Sequence, residues 1–413
     1  MNRLARYPRP YWILMACFFA NRAAAALIWP FITVYIREQT GAPLSSITPL
    51  LTLQALSSLL GTTFISSLMD RFGRKPVMLA GLAGFSLTLL LMSSATELGQ
   101  WVLLIPLYGI LQPIFFIGST TMVADLIVPE NRTSAFALAR TLANIAIALG
   151  PAIGGHFIAQ NHEIAYFATA AINLSLLLPV TLFIAETLPK AQHGRAKAEQ
   201  DGYRDILRDG RFMRFIGVFA LLEIAAALVF NLLSVYTSEN FNIQADAFGQ
   251  ILAVNALMVV FLQYGVTQIT RRYRPMPMLA IGSLFYTIGL SGFALARTLP
   301  HFMGVMAVMT LGELMVAPTS NALVAEMAPP DKRARYMGLY SLTYTAGTGI
   351  GPAAGGLVSD AFGPSAIWFG GAATALLASL GFAALGRQEA RRADESQPSL
   401  PTAEPQLETT ASP

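Results

Sequence analysis

Residues 146–155 read Ala-Ile-Ala-Leu-Gly-Pro-Ala-Ile-Gly-Gly, and residues 347–356 read Gly-Thr-Gly-Ile-Gly-Pro-Ala-Ala-Gly-Gly. The second stretch is the first displaced by 201 residues, and the same displacement brings other landmarks together without a gap. Pro129 meets Pro330, Arg132 meets Arg333, Leu27 meets Leu228, Tyr35 meets Tyr236 and Glu38 meets Glu239. Asp125 meets Glu326, and Pro76 meets Pro277. A period of that length holds a whole domain, unlike the short units of a solenoid. The chain is therefore one unit made twice, in parallel.

Composition says where such a unit lives. Apolar residues make up 54% of the 413 residues and charged ones only 12%, while mean hydropathy is +0.54. A soluble domain carries about a quarter charged residues. A helix needs about 20 mostly apolar residues to cross a bilayer core. Twelve such stretches are expected, near 11–36, 45–69, 76–95, 99–128, 133–159 and 163–186, then near 212–238, 246–270, 277–296, 299–328, 334–360 and 364–386. Internal prolines such as Pro30, Pro106, Pro113, Pro151, Pro179 and Pro352 are tolerated, because neighbouring helices satisfy the freed carbonyls. The first stretch lacks a small-residue cleavage site and has a repeat partner, so a retained helix is expected.

The expected fold is an all-α integral membrane protein with twelve transmembrane helices in two six-helix bundles related by a parallel repeat. Residues 1–186 would form the first bundle, 187–211 a linker partly helical around Tyr203 to Leu207, and 212–390 the second bundle. Residues 391–413 would be a disordered tail, since they are rich in Ser, Pro, Thr and Glu and have almost nothing to bury. Of the 27 Lys and Arg residues, one set of loops holds nearly all. Arg71, Arg74, Lys75, Arg132, Arg271, Arg272, Arg274, Lys332, Arg333 and Arg335 belong there, along with the basic residues of both termini and the linker. The opposite loops hold only Arg37 and Arg297. That asymmetry predicts an inner-membrane protein with both termini cytoplasmic. The net charge of +4 then reflects topology and lipid headgroups, so the bilayer is a partner and nucleic acid is not.

Catalytic signals are lacking. Cys17 is the single cysteine, and His156, His162, His193 and His301 show no metal-ligand spacing. There is neither a nucleophile elbow nor a phosphate-binding glycine loop, so no enzyme and no metal are expected.

Two motifs point to a family. Residues 66–76 read Ser-Ser-Leu-Met-Asp-Arg-Phe-Gly-Arg-Lys-Pro. This resembles the loop signature of the major facilitator superfamily, in which a glycine and three further residues precede Asp-Arg-x-Gly-Arg-Lys; Ser66 stands where that glycine would be. Residues 146–155 look like the fifth-helix signature of drug/proton antiporters in that superfamily, with Ala146 in place of its first glycine. The resemblance covers residues 8–390. The arginine that such antiporters usually carry in the fourth helix has no counterpart in residues 108–112, Tyr-Gly-Ile-Leu-Gln. The resemblance implies a cytoplasmic latch of Asp70, Arg71, Arg74 and Asp125, with Gly73 supplying backbone freedom for a tight turn. The competing reading is that these charges only fix topology. It further implies an antiporter motif of Gly150, Pro151, Gly154 and Gly155, whose small residues would let a helix of the other half approach closely and seal the pathway; the competing reading, supported by the copy at Gly347, Gly351, Pro352, Gly355 and Gly356, is generic helix packing.

Charges at mid-membrane depth are the candidate working residues, because they are expensive there and mark pathways and proton relays. Arg22 lies in the first helix, Glu223 in the seventh and Glu313 in the tenth; Arg22 and Glu223 occupy equivalent repeat positions. Glu223, Ala227, Asn231, Ser234 and Ser238 share one helical face, as do Thr310, Glu313, Ala317 and Ser320. Both faces suggest a water-lined cavity. A carboxylate there is satisfied by a proton or by a cation, each expelling the other, and antiporters of the resembling type often carry acids in these two helices. Glu313 is the expected proton-coupling carboxylate. Glu223 either shares that role or forms a structural ion bridge with Arg22. Arg140, Asn144, Gln54, Asn255, Gln263, Tyr340 and Tyr344 are further candidates for the lining.

The expected activity is export of amphiphilic, cationic small molecules against inward proton flow, by a monomer that needs no cofactor beyond the proton gradient. The alternatives are an exporter or flippase of a lipid-like or sugar-based metabolite, favoured if Arg22 is free to bind an anionic headgroup, and a passive facilitator.

Overall fold

A computed structural model describes residues 7–188, 203–329 and 332–395 of the chain. Twelve long helical rods are present among them. The first six are α1 (Arg9–Thr40), α2 (Leu44–Phe72), α3 (Arg74–Ser93), α4 (Leu98–Leu126), α5 (Pro129–Gln160) and α6 (His162–Phe183). The second six are α7 (Gly210–Phe241), α8 (Ala245–Thr270), α9 (Pro275–Leu295), α10 (Leu299–Met327), α11 (Arg333–Phe362) and α12 (Ala366–Glu395). Ten of them are long and apolar enough to cross a membrane. The other two are α5 and α11, the rods that carry the repeated glycine motif. In α11 glycine, threonine and tyrosine lower the hydropathy, and both rods pack chiefly against other helices of the chain.

Residues 189–202, most of the expected linker, lie outside the described residues, as do 396–413 of the expected tail. Tyr203–Arg208 is a short helix. The last rod continues to Glu395, so the first residues of the expected tail are helical.

Prolines set the shape of the rods. At Trp29–Phe31 α1 narrows to a turn of 3-10 helix around Pro30, and α4 is interrupted at Gln112-Pro113. Proline removes a backbone donor and crowds the preceding turn, which kinks a helix. In the first half α1 packs on α5, α2 on α4, and α3 on α6; in the second α7 packs on α11, and α9 on α10 and α12. The halves meet along two seams, α5 against α8 and α2 against α11. These are repeat-equivalent contacts with the partners exchanged, as a parallel duplication about a central axis requires.

One end of the molecule is sealed. Arg37 at the end of α1 meets Glu239 at the end of α7 through an ion pair of 2.7 Å. The Ser234 hydroxyl donates to the Pro30 carbonyl at 2.7 Å, which satisfies the oxygen at the kink, and the Ser45 N–H donates to Asp360 at 2.9 Å. Trp29 and Phe230 stack with centroids 6.0 Å apart. A cavity of about 190 Å³ remains at this end, bordered by Phe31, Glu38, His162, Ser234 and Phe248. Binding pockets for drug-sized molecules run from about 300 Å³ upward, so the seal leaves no room for such cargo. Below it, Tyr344 on α11 is 59% exposed, and Arg140 and Asn144 on α5 are exposed. The space between the halves is thus accessible away from the Arg37 end.

Candidate functional site

The glycine motif builds the seams. A side chain at Gly150 would run into Ala26 of α1, and one at Gly154 into the backbone of Leu27. Of the motif, Gly155 alone faces the other half, where a side chain would meet the Ala245 carbonyl of α8. The second copy repeats the division. Gly347 and Gly351 lie on the backbone of α7 at Glu223 and Ile224, and Gly355 on the Leu228 side chain, whereas Gly356 abuts Thr48 and the Leu44 carbonyl of α2. The expectation that the whole flank meets the other half is therefore corrected. Most of it clamps the fifth rod of a bundle to the first rod of the same bundle, because two helices that cross closely need several successive small residues. Pro151 lies inside α5 without ending it.

The loop between α2 and α3 is built around Arg74, whose side chain is buried. Its guanidinium is 3.4 Å from Asp70 and 3.4 Å from Asp125. Both are charge contacts longer than a hydrogen bond, and Nε and Nη1 have no hydrogen-bond partner. Arg71 lies over the Phe72 ring. Gly73 has φ +99°, in the region that favours glycine. The cluster of Asp70, Arg74 and Asp125 is thus assembled wholly within the first half.

A residue that sequence reading missed completes this cluster. Glu186, just beyond α6, accepts hydrogen bonds from the N–H groups of Arg74 (3.1 Å) and Lys75 (2.9 Å), and from those of Thr187 and Leu188 (2.8 Å each). Thr187 donates to Asp125 at 2.7 Å, and the Lys75 ammonium to the Thr181 carbonyl. Glu186 therefore caps the positive end of α3. Burial raises the pKa of its carboxyl, but the backbone donors of Leu188, Lys75, Arg74 and Thr187 outweigh this and hold it below the usual carboxylate range. The available signal was an acid at the end of a span on the basic side, which the positive-charge rule does not explain.

The mid-depth charges fall into two groups. In the second half, Glu313 of α10 accepts a hydrogen bond of 2.6 Å from Asn255 of α8, which also donates to Thr310 at 3.0 Å. Glu223 of α7 and Glu313 are electrostatic neighbours. Ser320 is 2.7 Å from the Tyr340 hydroxyl of α11. The polar face of α10 is thereby knitted to α8 and α11. The face of α7 divides. Glu223 is half-buried, but Asn231 is buried and turns back on the Ala227 carbonyl, while Ser234 belongs to the seal. The expected water-lined face of α7 therefore stops near Ala227, because the bundles' first rods meet above it.

In the first half stands Arg22. Its guanidinium carbon lies 4.4 Å from the centroid of Phe116, and its Nε has no hydrogen-bond partner. Among the described residues no ion pair joins Arg22 to Glu223 or to another carboxylate. A cation–π contact is worth about 0.5–2 kcal/mol, less than the roughly 2.5–3.5 kcal/mol that an arginine costs at mid-membrane depth. The ring alone does not offset the charge. Nearby, Asn21 donates to Asn173 at 2.7 Å, and Thr169 to the Ala24 carbonyl at 3.1 Å. That polar ladder is spent on holding α1 to α6.

The arrangement is a pair of six-helix bundles, sealed at one end and charged at the centre. A family model described as the Major Facilitator Superfamily matches residues 14–310 and 278–411. The chain belongs to the major facilitator superfamily. Among curated members, a Na(+), Li(+), K(+)/H(+) antiporter of Planococcus maritimus is 26% identical over 86% of this chain and 89% of its own length. The multidrug resistance protein MdtH of Klebsiella pneumoniae (strain 342) is 24% identical over 81% and 83%. Among solved structures of this superfamily fold, a mutant of the nucleoside transporter NupG superposes with a TM-score of 0.76 at 14% identity, covering 91% of this chain and all of that one. Major facilitator proteins move small molecules, and this chain is a multi-pass membrane transporter whose relatives are transporters too.

Proposed function

We propose that the protein is a proton-coupled exporter of amphiphilic cations in the cytoplasmic membrane, with Glu313 as its proton-coupling carboxylate and Glu223 as a second acid on the cargo path. The observation that carries this reading is the hydrogen bond from Asn255 to Glu313 beside Glu223. Two carboxylates at mid-depth, with no arginine or lysine paired to either among the described residues, are satisfied by protons or by a cation from outside the chain. Competition between the two is the exchange that an antiporter needs. With the basic loops placed in the cytoplasm, the sealed Arg37 end faces outward and the accessible space faces in, which is the state that loads cargo for export.

Coupling is tested in energised inverted vesicles by following proton movement when a panel of cationic dyes is added. Dye-triggered proton release that is lost in Glu313→Gln supports the reading. Transport with no proton movement sinks antiport and leaves a passive facilitator. The Planococcus relative favours a second reading, exchange of an alkali cation for protons at the same carboxylates. Proton release on adding Na⁺, with no response to dyes, would establish it.

A further inference from the structure

Arg22 and Glu223 stand at the same position of the two repeats and carry opposite charges. Had they diverged to neutralise one another they would form an ion pair, and they do not. Tyr344, which is 59% exposed, is an electrostatic neighbour of Glu223, Arg22 and Glu313 alike. The cation of the first half and the acids of the second therefore lie around the same exposed tyrosine. The guanidinium rests on Phe116, its Nε is buried without a partner, and among the described residues no carboxylate pairs with its Nη groups. A half-buried guanidinium in that state is completed by an anion from outside the chain, held by the paired N–H groups that carboxylates match best.

Resting on the proposed exchange at Glu223 and Glu313, we propose that the cargo is amphoteric: it carries an anionic group that Arg22 binds above Phe116, in addition to the cationic group that faces the two acids. The cavity then selects a dipole, with the negative end toward α1 and the positive end toward α7 and α10. A plain cation would meet Arg22 as a like charge, and a plain anion would meet Glu223 and Glu313 in the same way, so each is disfavoured on one wall.

A matched pair of probes isolates the anionic group. Rhodamine B is zwitterionic at neutral pH, and its ethyl ester is the same dye with the carboxylate masked. Binding of each to the purified full-length protein in detergent is read by fluorescence anisotropy at fixed pH. Rhodamine B should bind at least about tenfold more tightly than the ester, the scale of a charged hydrogen bond. In Arg22→Gln that ratio should fall to about one. Arg22→Lys keeps the charge without the planar fork, and should retain a preference of a few fold; it stands in if the glutamine variant does not fold. Equal binding of the two dyes, tighter binding of the ester, binding of neither, or a preference that survives Arg22→Gln overturns the proposal. Arg22-dependent binding of inorganic phosphate without a dye preference marks a site for a free anion, and overturns it too. No pH gradient is needed for this measurement, so it separates from the antiport test. A dye preference without triggered proton release refutes antiport alone, and proton release without a preference refutes amphoteric cargo alone.

Discussion

Arg37 Nε donates to Glu239 Oε1 at 2.7 Å, joining the last turn of α1 to the last turn of α7 across the two halves. Glu239 is the repeat equivalent of Glu38, while Ser238 is the equivalent of Arg37. The bridge exists because the duplicated turns diverged in charge at one position. Both side chains are about a third exposed, so the pair is worth at most about 1 kcal/mol.

That small figure still moves a conformational balance. Arg37→Gln should raise the population open at this end up to about fivefold. A cysteine placed at Ser238, in a Cys17→Ser background, should react faster with a polar maleimide when Arg37 is replaced. An unchanged rate in Arg37→Gln would show that the bridge does not hold the seal.

The two roles of the glycine motif should separate on mutation. Gly154→Ala forces a methyl group onto the Leu27 backbone inside one bundle, an overpacking cost of about 1–3 kcal/mol, seen as a Tm a few degrees lower. Gly155→Ala places the same group on the Ala245 carbonyl across the seam. It should leave Tm closer to that of the parent while raising maleimide reactivity at Ser238. If both variants lose stability equally, the division of labour along α5 is wrong.

Glu186→Gln should weaken the cap of α3. The expected cost is about 1 kcal/mol, typical of a helix cap, and not more, because the carboxyl is exposed. The native carboxyl is held below its unfolded value, so its contribution is fully present above the unfolded pKa of about 4.3. It is lost as pH falls through the folded pKa. The Tm difference between parent and variant should be steady from neutral pH down to about 5 and then shrink. A difference that persists unchanged into strong acid would exclude a role for the charge.

Asn255→Ala removes the side-chain donor to Glu313 without altering a charge. A charged hydrogen bond contributes about 1.5–3 kcal/mol, so substrate-triggered proton release should slow by about tenfold or more if exchange runs through Glu313. An undiminished initial rate in vesicles carrying equal amounts of the two proteins would move the coupling site elsewhere.

Much of this is legible in the sequence. The duplication, the rods and their ends follow from periodicity, since apolar length and a repeated landmark each fix a helix independently. The cluster at Asp70, Arg74 and Asp125 was legible through the loop motif and its resemblance, and Glu313 drew notice as a charge standing where charges are costly. Partner choice was not legible. A stripe of small residues marks a face that touches something closely, but not whether Gly154 touches its own bundle or the other. Spacing put Ser234 on the face of Glu223, yet the Pro30 kink brings α1 across only its upper part. Glu186 was hidden for the same reason: its backbone partners come from separate stretches of chain and carry no side-chain signature. Equivalence in the repeat suggested Arg22 as a partner for Glu223, although a pseudo-symmetry axis sets equivalent residues on opposite walls and does not by itself bring them into contact.

The seams at Gly155 and Gly356 also limit what kind of inhibitor this transporter admits. Gly155 lies against the Ala245 carbonyl of α8 and Gly356 against Thr48 and the Leu44 carbonyl of α2, so in alternating access these two close contacts would serve as the bearings of an axle about which the bundles roll. A small wedge lodged in either bearing would jam the roll with the cavity empty. Such a compound would be indifferent to cargo concentration, and resistance to it would arise at α5, α8, α2 or α11 and not among the charges that bind the cargo.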